Sequence, residues 1–164
     1  MVTFLDALGL KSYDLAAECL TISEQVLPRL EKEDRRPLLS FVSGLVETNW
    51  RDARTCFEAG SKVMARLDRS ERRRFLSLAS KLGMLKGGNP VAFLLDGSRA
   101  LGEIEWSQHA RILELAELLF PSYPQAVTEF VRSAPAVLNR VHSQDLALWF
   151  EEGLEILKEN EEGG

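Results

Sequence analysis

The sequence aligns with itself, without gaps, after a shift of about 37 residues, a period typical of helical repeats. Large side chains share columns of this alignment, among them Cys19, Cys56, Phe93 and Phe130, and also Leu27, Met64, Leu101 and Leu138. Small residues form another column: Ser23, Gly60, Gly97 and Ala134. Any two amphipathic helix pairs would align their leucines, but they would not align a column of small residues. We therefore expect a structural unit that recurs along the chain.

Within each unit the apolar residues recur at spacings of three and four, which places them on one face of a helix. Leu38, Phe41 and Leu45 show this spacing, and no stretch alternates with period two over the length of a strand. Leu, Ala, Glu and Arg dominate, whereas β-branched residues are sparse. The pattern predicts an all-α fold with eight main helices of about 11–17 residues, and a short helical turn near Phe4 to Leu8.

Each unit is expected to be an antiparallel helix pair that stacks on the next, as in HEAT-like and TPR-like proteins. The result would be a right-handed α-solenoid of about four pairs. The units are approximately 14–48, 50–86, 89–121 and 124–160, within a single domain spanning 1–164. Glycine inside a helix costs about 1 kcal/mol relative to alanine. We therefore expect Gly60, Gly97 and Gly153 where a neighbouring helix approaches closely.

The breaks between helices carry turn and cap residues. The segment Lys86–Pro90, which reads KGGNP, predicts the end of one helix and the start of the next. Asp68 or Ser70 is expected to cap the helix that follows it. Pro37 is expected in the first turn of its helix.

The two-helix unit resembles the HEAT and tetratricopeptide classes of repeat. The segment Ser143–Leu157, with Trp149 and Gly153 inside it, resembles the repeats ahead of the von Willebrand factor A domain in bacterial proteins related to the nitric oxide reductase activation protein. In that family a tryptophan followed by a small residue and leucines recurs in each unit. The chain has no D-x-S-x-S metal site, so the family's metal-dependent binding does not carry over. The resemblance implies a scaffolding role for a repeat fragment or a stand-alone relative.

Motifs for catalysis are missing: there is no G-x-S-x-G, no phosphate-binding glycine loop and no H-E-x-x-H. Cys19 and Cys56 are expected to be buried free thiols, because adjacent helices lie about 8–10 Å apart, too far for a relaxed disulfide. His109 and His142 have no Cys or His at zinc-ligand spacing, and we expect them at surface or capping positions. The sequence therefore predicts no enzymatic activity, no metal and no cofactor.

The acidic charge is concentrated at one end of the chain. Residues 151–162 contain six Glu and one Lys, which together equal the net charge of −5 of the whole chain. A soluble cap with a frayed terminus is the simplest interpretation. The alternative hypothesis is that this acidic end docks head to tail on the arginine-rich edge of another copy, so that the chain self-associates.

Arginine and aromatic residues that the core columns do not use are expected to contact a protein or peptide partner, because Trp and Arg are favoured interface anchors. These residues are Trp50, Arg54, Arg66, Arg69, Arg72, Arg73, Arg74, Trp106 and Tyr123. The arginines from 66 to 74 also support an alternative, a nucleic-acid-binding HEAT-like protein, because arginine can clamp phosphates. Against it stand an acidic pI near 5.2 and the interleaved Asp68 and Glu71. An enzyme with a pocket between helices is a third alternative.

The chain carries no signal for a membrane or for secretion. No apolar run approaches the roughly 20 residues of a membrane-spanning helix. The first residues, MVTFLDALGLKSYDL, lack the basic and apolar regions of a signal peptide. Two cysteines do not make a disulfide framework. The sequence therefore predicts a cytoplasmic, non-enzymatic scaffold or adaptor that binds another protein and no membrane.

Overall fold

The computed structural model describes residues 1–141 and 143–162, and every regular element within them is helical. The α-helices of this part of the chain are α1 (Val2–Lys11), α2 (Tyr13–Val26), α3 (Lys32–Asn49), α4 (Ala53–Met64), α5 (Arg69–Met84), α6 (Pro90–Glu103), α7 (Trp106–Leu119), α8 (Val127–Leu138) and α9 (Ser143–Glu162). Short 3-10 turns precede α3, α4 and α8, at Leu27–Arg29, Trp50–Asp52 and Pro124–Ala126. The predicted all-α class is confirmed.

The chain divides into two compact units, Met1–Asp68 and Arg69–Gly164. In the first unit α1 packs on α2 and α3 packs on α4. The two pairs meet where α1 contacts α3 and α2 contacts α4. In the second unit α5, α7 and α9 form one row and α6 and α8 form another, joined by the α5–α6 and α7–α8 contacts. Within the two units, α1–α2, α3–α4, α5–α6 and α7–α8 are therefore packed pairs of consecutive helices, whereas α2–α3 and α6–α7 are not.

These packed pairs are offset by one helix from the predicted repeat units. The predicted units 14–48 and 89–121 group α2 with α3 and α6 with α7. In the structure α2 packs mainly on α1 and α4, and α6 packs mainly on α5 and α8. The predicted unit 50–86 includes the boundary after Asp68. The antiparallel solenoid and the single domain of 1–164 stay predictions.

The core of each unit is built from the predicted apolar faces. In the first unit the rings of Phe4 and Phe57 lie 6.1 Å apart, centre to centre. In the second unit Phe75 stacks on Phe93 at 5.1 Å. The short helical turn expected near Phe4 is instead the ten-residue helix α1, which buries Phe4 and Leu8. The first helix is therefore a full partner of α2 in the core.

The connection between α5 and α6 has the glycine and cap chemistry that the sequence predicts. Gly87 has a φ of +79°, which an L side chain rarely adopts. A Cβ on Gly88 would collide with the carbonyl oxygen of Leu82. Asn89 then caps α6, since its Oδ1 accepts a hydrogen bond of 2.9 Å from the backbone N–H of Ala92. The two glycines therefore permit the backbone path of this turn, and Asn89 stabilises the start of α6.

The sequence also predicts how α3 and α5 begin. Helix α3 begins at Lys32, so Pro37 lies inside the helix instead of in its first turn, and that prediction is wrong. Helix α5 begins at Arg69, directly after Asp68, one of the two residues predicted to cap it. In the described ranges, no helix is both long and apolar enough to cross a bilayer.

The predicted close approach at glycine holds at Gly97 and fails at Gly153. A Cβ on Gly97 would lie 2.9 Å from Cε2 of Phe75, closer than side-chain atoms pack. Gly60 is buried in α4. A Cβ on Gly153 would lie 3.7 Å from Cδ2 of Leu115, an ordinary contact. Only Gly97 is therefore shown to be held to glycine by a neighbouring helix.

Candidate functional site

Three of the predicted partner-binding residues lie in the first unit. Trp50 is half-buried in the turn before α4, with the Arg51 guanidinium 5.1 Å from the centre of one of its rings. Arg54 Nε lies 2.9 Å from Glu18 Oε2 and joins α4 to α2. That Nε–H makes no hydrogen bond, so the contact is an ion pair alone. Arg66 is exposed after the end of α4. Arg54 therefore has a structural role within this unit.

The remaining six residues lie in the second unit, where Arg69, Arg72, Arg73 and Arg74 are on α5 and Trp106 and Tyr123 flank α7. Trp106 is the first residue of α7 and is 52% exposed, while Tyr123 follows its end and is 54% exposed. Since a helix advances about 1.5 Å per residue, the two aromatic residues are about 20 Å or more apart. They therefore mark the two ends of α7 and do not form one patch.

A surface seam runs between α5 and α7. Arg74 Nε lies 3.6 Å from Glu117 Oε2, and Lys81 Nζ lies 5.8 Å from the centre of the Phe120 ring. Arg73, next to Arg74, is exposed. We call Arg73, Arg74, Lys81, Glu117 and Phe120 the α5–α7 seam. The seam combines three cations with an aromatic ring.

One face of α5 continues this basic character along three turns. Arg73, Ser77, Lys81 and Met84 follow one another at spacings of four, four and three, and all four are exposed. Met84 is 80% exposed, at the end of the helix. Lys81 and Met84 are not among the predicted residues. They could have been found in the sequence from their spacing to Arg73, which places all three residues on the same helix face.

A second exposed face lies on α9, which packs against α7. Leu148 and Ile156 are 57% and 59% exposed. They share a helix face with Glu152 and Glu159, which are exposed as well. The acidic end of the chain is therefore not a uniformly polar cap, because its carboxylates alternate with large apolar side chains.

His109 is buried near the start of α7 and is 3% exposed. Its Nε2 lies 2.8 Å from the carbonyl oxygen of Leu101 and 3.1 Å from that of Ile104. Because both partners are acceptors, Nε2 carries the proton and donates to them, while Nδ1 is buried without a partner. His109 thus caps the end of α6. Capping is one of the two positions predicted for it, and the other, a surface position, does not apply. His142 lies outside the described residues.

Cys19 and Cys56 are buried free thiols, as predicted. Burial raises the pKa of Cys19 to about 11, against a smaller opposing effect of Arg54. Burial raises the pKa of Cys56 to about 12, and Asp52 adds to the effect. Since the thiolate is the nucleophile and the metal ligand, both side chains are inert at neutral pH. Across residues 1–141 and 143–162, no group of three or more His, Cys, Asp or Glu side chains could hold a metal ion.

Comparison of the chain with protein-family models, with curated proteins and with solved structures finds no match. The resemblance to HEAT-like and TPR-like repeats, and to the repeats of the von Willebrand factor A-domain proteins, therefore stays a prediction. The exposed surfaces of α5, α7 and α9 are the features that bear on function.

Proposed function

We propose that the chain is a non-enzymatic interaction module that binds a protein or peptide partner through the α5–α7 seam. The observation that carries this proposal is the exposed face of α5, where Arg73 and Lys81 lie in line with Met84. A helix face that combines cations with an apolar side chain suits an acidic partner that also buries apolar surface. Arg is among the residues that anchor protein interfaces most often.

The exposed α5 face shares Arg73 and Lys81 with the seam and adds Met84, and its apolar and charged residues would contribute differently. Met84 is 80% exposed, and burial of a methionine side chain stabilises a complex by about 1.5–3 kcal/mol. An exposed ion pair contributes about 0–1 kcal/mol, and salt weakens it. We therefore expect the apolar contact to supply most of the affinity. The cations Arg73 and Lys81 would steer and select the partner.

The residues that could have served catalysis occupy structural positions instead. His109 caps α6 from a buried site. Cys19 and Cys56 are thiols at neutral pH, because burial raises the pKa of each. These placements favour a binding function over the enzymatic alternative.

The nucleic-acid alternative has weaker support in the second unit. Arg73 is exposed, but Arg74 is paired with Glu117 across the seam. Glu71 is buried among the arginines of α5, and the whole chain has a net charge of −5. A phosphate backbone would meet the Glu117 carboxylate as well as the arginines. An acidic protein surface with apolar groups fits Met84 better.

The test is capture of partners by the tagged chain from a lysate of its native cell, with and without nuclease. The variant is Arg73→Glu with Lys81→Glu, and its control is R99E/R140E, which reverses two exposed cations on α6 and after α8. We expect one defined protein on the native chain and on the control, lost from R73E/K81E. If R73E/K81E captures the same protein as strongly as the native chain does, the seam is not the binding surface. If the chain instead captures nucleic acid, and nuclease treatment removes it, the nucleic-acid-binding function would be supported.

A further inference from the structure

We propose that the partner of the α5–α7 seam is a second copy of this chain, whose α9 docks antiparallel on the exposed face of α5. The inference rests on the proposed function, since Arg73 and Lys81 belong to both. The α5 face consists of Arg73, Ser77, Lys81 and Met84. The α9 face consists of Leu148, Glu152, Ile156 and Glu159.

The two faces match in length and in chemistry. Set antiparallel, they pair Arg73 with Glu159, Ser77 with Ile156, Lys81 with Glu152, and Met84 with Leu148. Since each helix rises about 1.5 Å per residue, the members of every pair are level to within about 2 Å along the helix axes. Each cation then meets a carboxylate. The large apolar side chains meet each other or the small Ser77.

The parallel orientation does not give this match. It sets Arg73 against Leu148 and Met84 against Glu159, so that charged groups lose water without gaining an opposite charge. The antiparallel orientation is therefore the only one of the two that satisfies both charges and apolar groups.

The two faces cannot meet within one copy of the second unit. Helices α5 and α9 each pack against α7, which lies between them in the row. Packed helices lie about 8–10 Å apart, so α9 would have to leave α7 to reach the exposed face of α5. The contact must therefore join two copies.

The charge around the two faces supports the same pairing. Asp145, Glu151 and Glu155 are exposed next to the α9 face, and Arg69 is exposed one turn before Arg73. Attraction between an acidic and a basic face speeds encounter and disfavours contact between two α9 faces or two α5 faces. Because the contact joins two different faces, each docked copy still offers one free face, and association continues unless a ring closes.

The experiment measures the mass of the purified full chain by sedimentation velocity, between about 10 and about 500 μM, at low and at high salt. We expect the average mass to rise with concentration. High salt should reduce this rise, because the ion pairs between the α5 and α9 faces are exposed to solvent. Two variants reverse one face each: R73E/K81E on α5 and E152K/E159K on α9. Each variant alone is expected to remain monomeric.

An equimolar mixture of the two variants is expected to associate again. The native α9 of one variant fits the native α5 of the other, and the two reversed faces also carry opposite charges. The controls are R99E/R140E and E103K/E105K, which make equal changes of net charge at exposed positions away from both faces. Both controls are expected to associate like the native chain.

A native chain that stays monomeric at every concentration would overturn the inference. The inference would also be overturned if R73E/K81E and E152K/E159K each still associate alone, or if their mixture does not associate. None of these results touches the proposed function, which depends on whether a lysate protein is lost from R73E/K81E. An acidic protein captured by a monomeric chain would support the proposed function and contradict self-association.

Discussion

The ring of Phe75 on α5 occupies the space in which a side chain of Gly97 on α6 would begin. Cε2 of Phe75 lies 2.9 Å from the position of a Cβ on Gly97. The ring also stacks on Phe93 at 5.1 Å and is fully buried, so it has little room to move away. Close packing at this point is therefore set by a glycine that the repeat pattern singles out.

We predict that Gly97→Ala destabilises the second unit. Alanine improves helix propensity by about 1 kcal/mol, but overpacking against Phe75 costs about 1–3 kcal/mol. The net change in the free energy of unfolding should be a loss, which urea unfolding followed by circular dichroism would measure.

The matched control is Gly44→Ala on α3, where nothing lies within 4 Å of the added Cβ. That variant should gain about 1 kcal/mol. Phe75→Leu should cost less stability in the Gly97→Ala background than in the native chain, because it relieves the contact with the added Cβ. If Gly97→Ala gains as much as Gly44→Ala, the ring does not restrict this position.

His109 carries the second prediction, because its Nε2–H is shared by two carbonyl oxygens at the end of α6. His109→Phe keeps a planar ring but leaves both carbonyls without that donor, and we expect a loss of about 1–3 kcal/mol. His109→Gln retains a donor at the side-chain end and should lose less. Thermal or urea unfolding of the two variants side by side would show the difference. Equal losses would mean that packing, and not the hydrogen bond, explains the role of His109.

Local chemistry explains what could be predicted from the sequence. The α5–α6 turn follows from Gly87, Gly88 and Asn89, because left-handed backbone and helix capping depend on a few neighbouring residues. Helix faces follow from the spacing of apolar residues. The length of α1 could not be predicted, because exposed Val2 and Leu10 blur the pattern of its buried Phe4 and Leu8.

The choice of helix pairs needs three-dimensional information. A repeat period fixes the distance between equivalent helices, but it does not say whether a helix pairs with the one before or the one after. The same limit applies to the candidate site. The arginines of α5 stand out in the sequence, but the ion pair of Arg74 with Glu117 and the exposure of Met84, Leu148 and Ile156 depend on which face each helix buries.

The buried cysteines predict a loss of stability at alkaline pH. The pKa of Cys19 is raised from 9.0 to about 11 and that of Cys56 from 9.0 to about 12. Above pH 9 the unfolded chain therefore releases thiol protons that the folded chain keeps, so the free energy of unfolding falls as pH rises. Between pH 8 and pH 10 each cysteine should account for about 1 kcal/mol of this fall.

The check is urea unfolding of the native chain and of a C19A/C56A variant at both pH values. The variant will be less stable at pH 8, because it loses buried volume. Its further fall between pH 8 and pH 10 should be smaller by about 2 kcal/mol, since the remaining titrations are common to both chains. An equal fall in the two chains would show that the thiols do not cause the pH dependence.

Adjacent Arg73 and Arg74 should separate binding from stability. The side chains of Arg74 and Glu117 are 40% and 32% exposed, so their ion pair should contribute less than about 1 kcal/mol. We predict that Arg74→Ala causes a small loss of stability that a double-mutant cycle with Glu117→Ala assigns to the pair. Arg73→Ala, at an exposed position, should leave the free energy of unfolding within about 0.5 kcal/mol.

The effects of the two substitutions on binding should be in the opposite order to their effects on stability. Arg73→Ala is expected to weaken partner capture and self-association more than Arg74→Ala, because Arg73 lies on the exposed α5 face and Arg74 is already engaged by Glu117. Unfolding curves and sedimentation of the same two preparations would test both halves. If Arg74→Ala weakens binding more than Arg73→Ala, the contact surface follows the side of α5 that faces α7, and the antiparallel register with α9 is wrong.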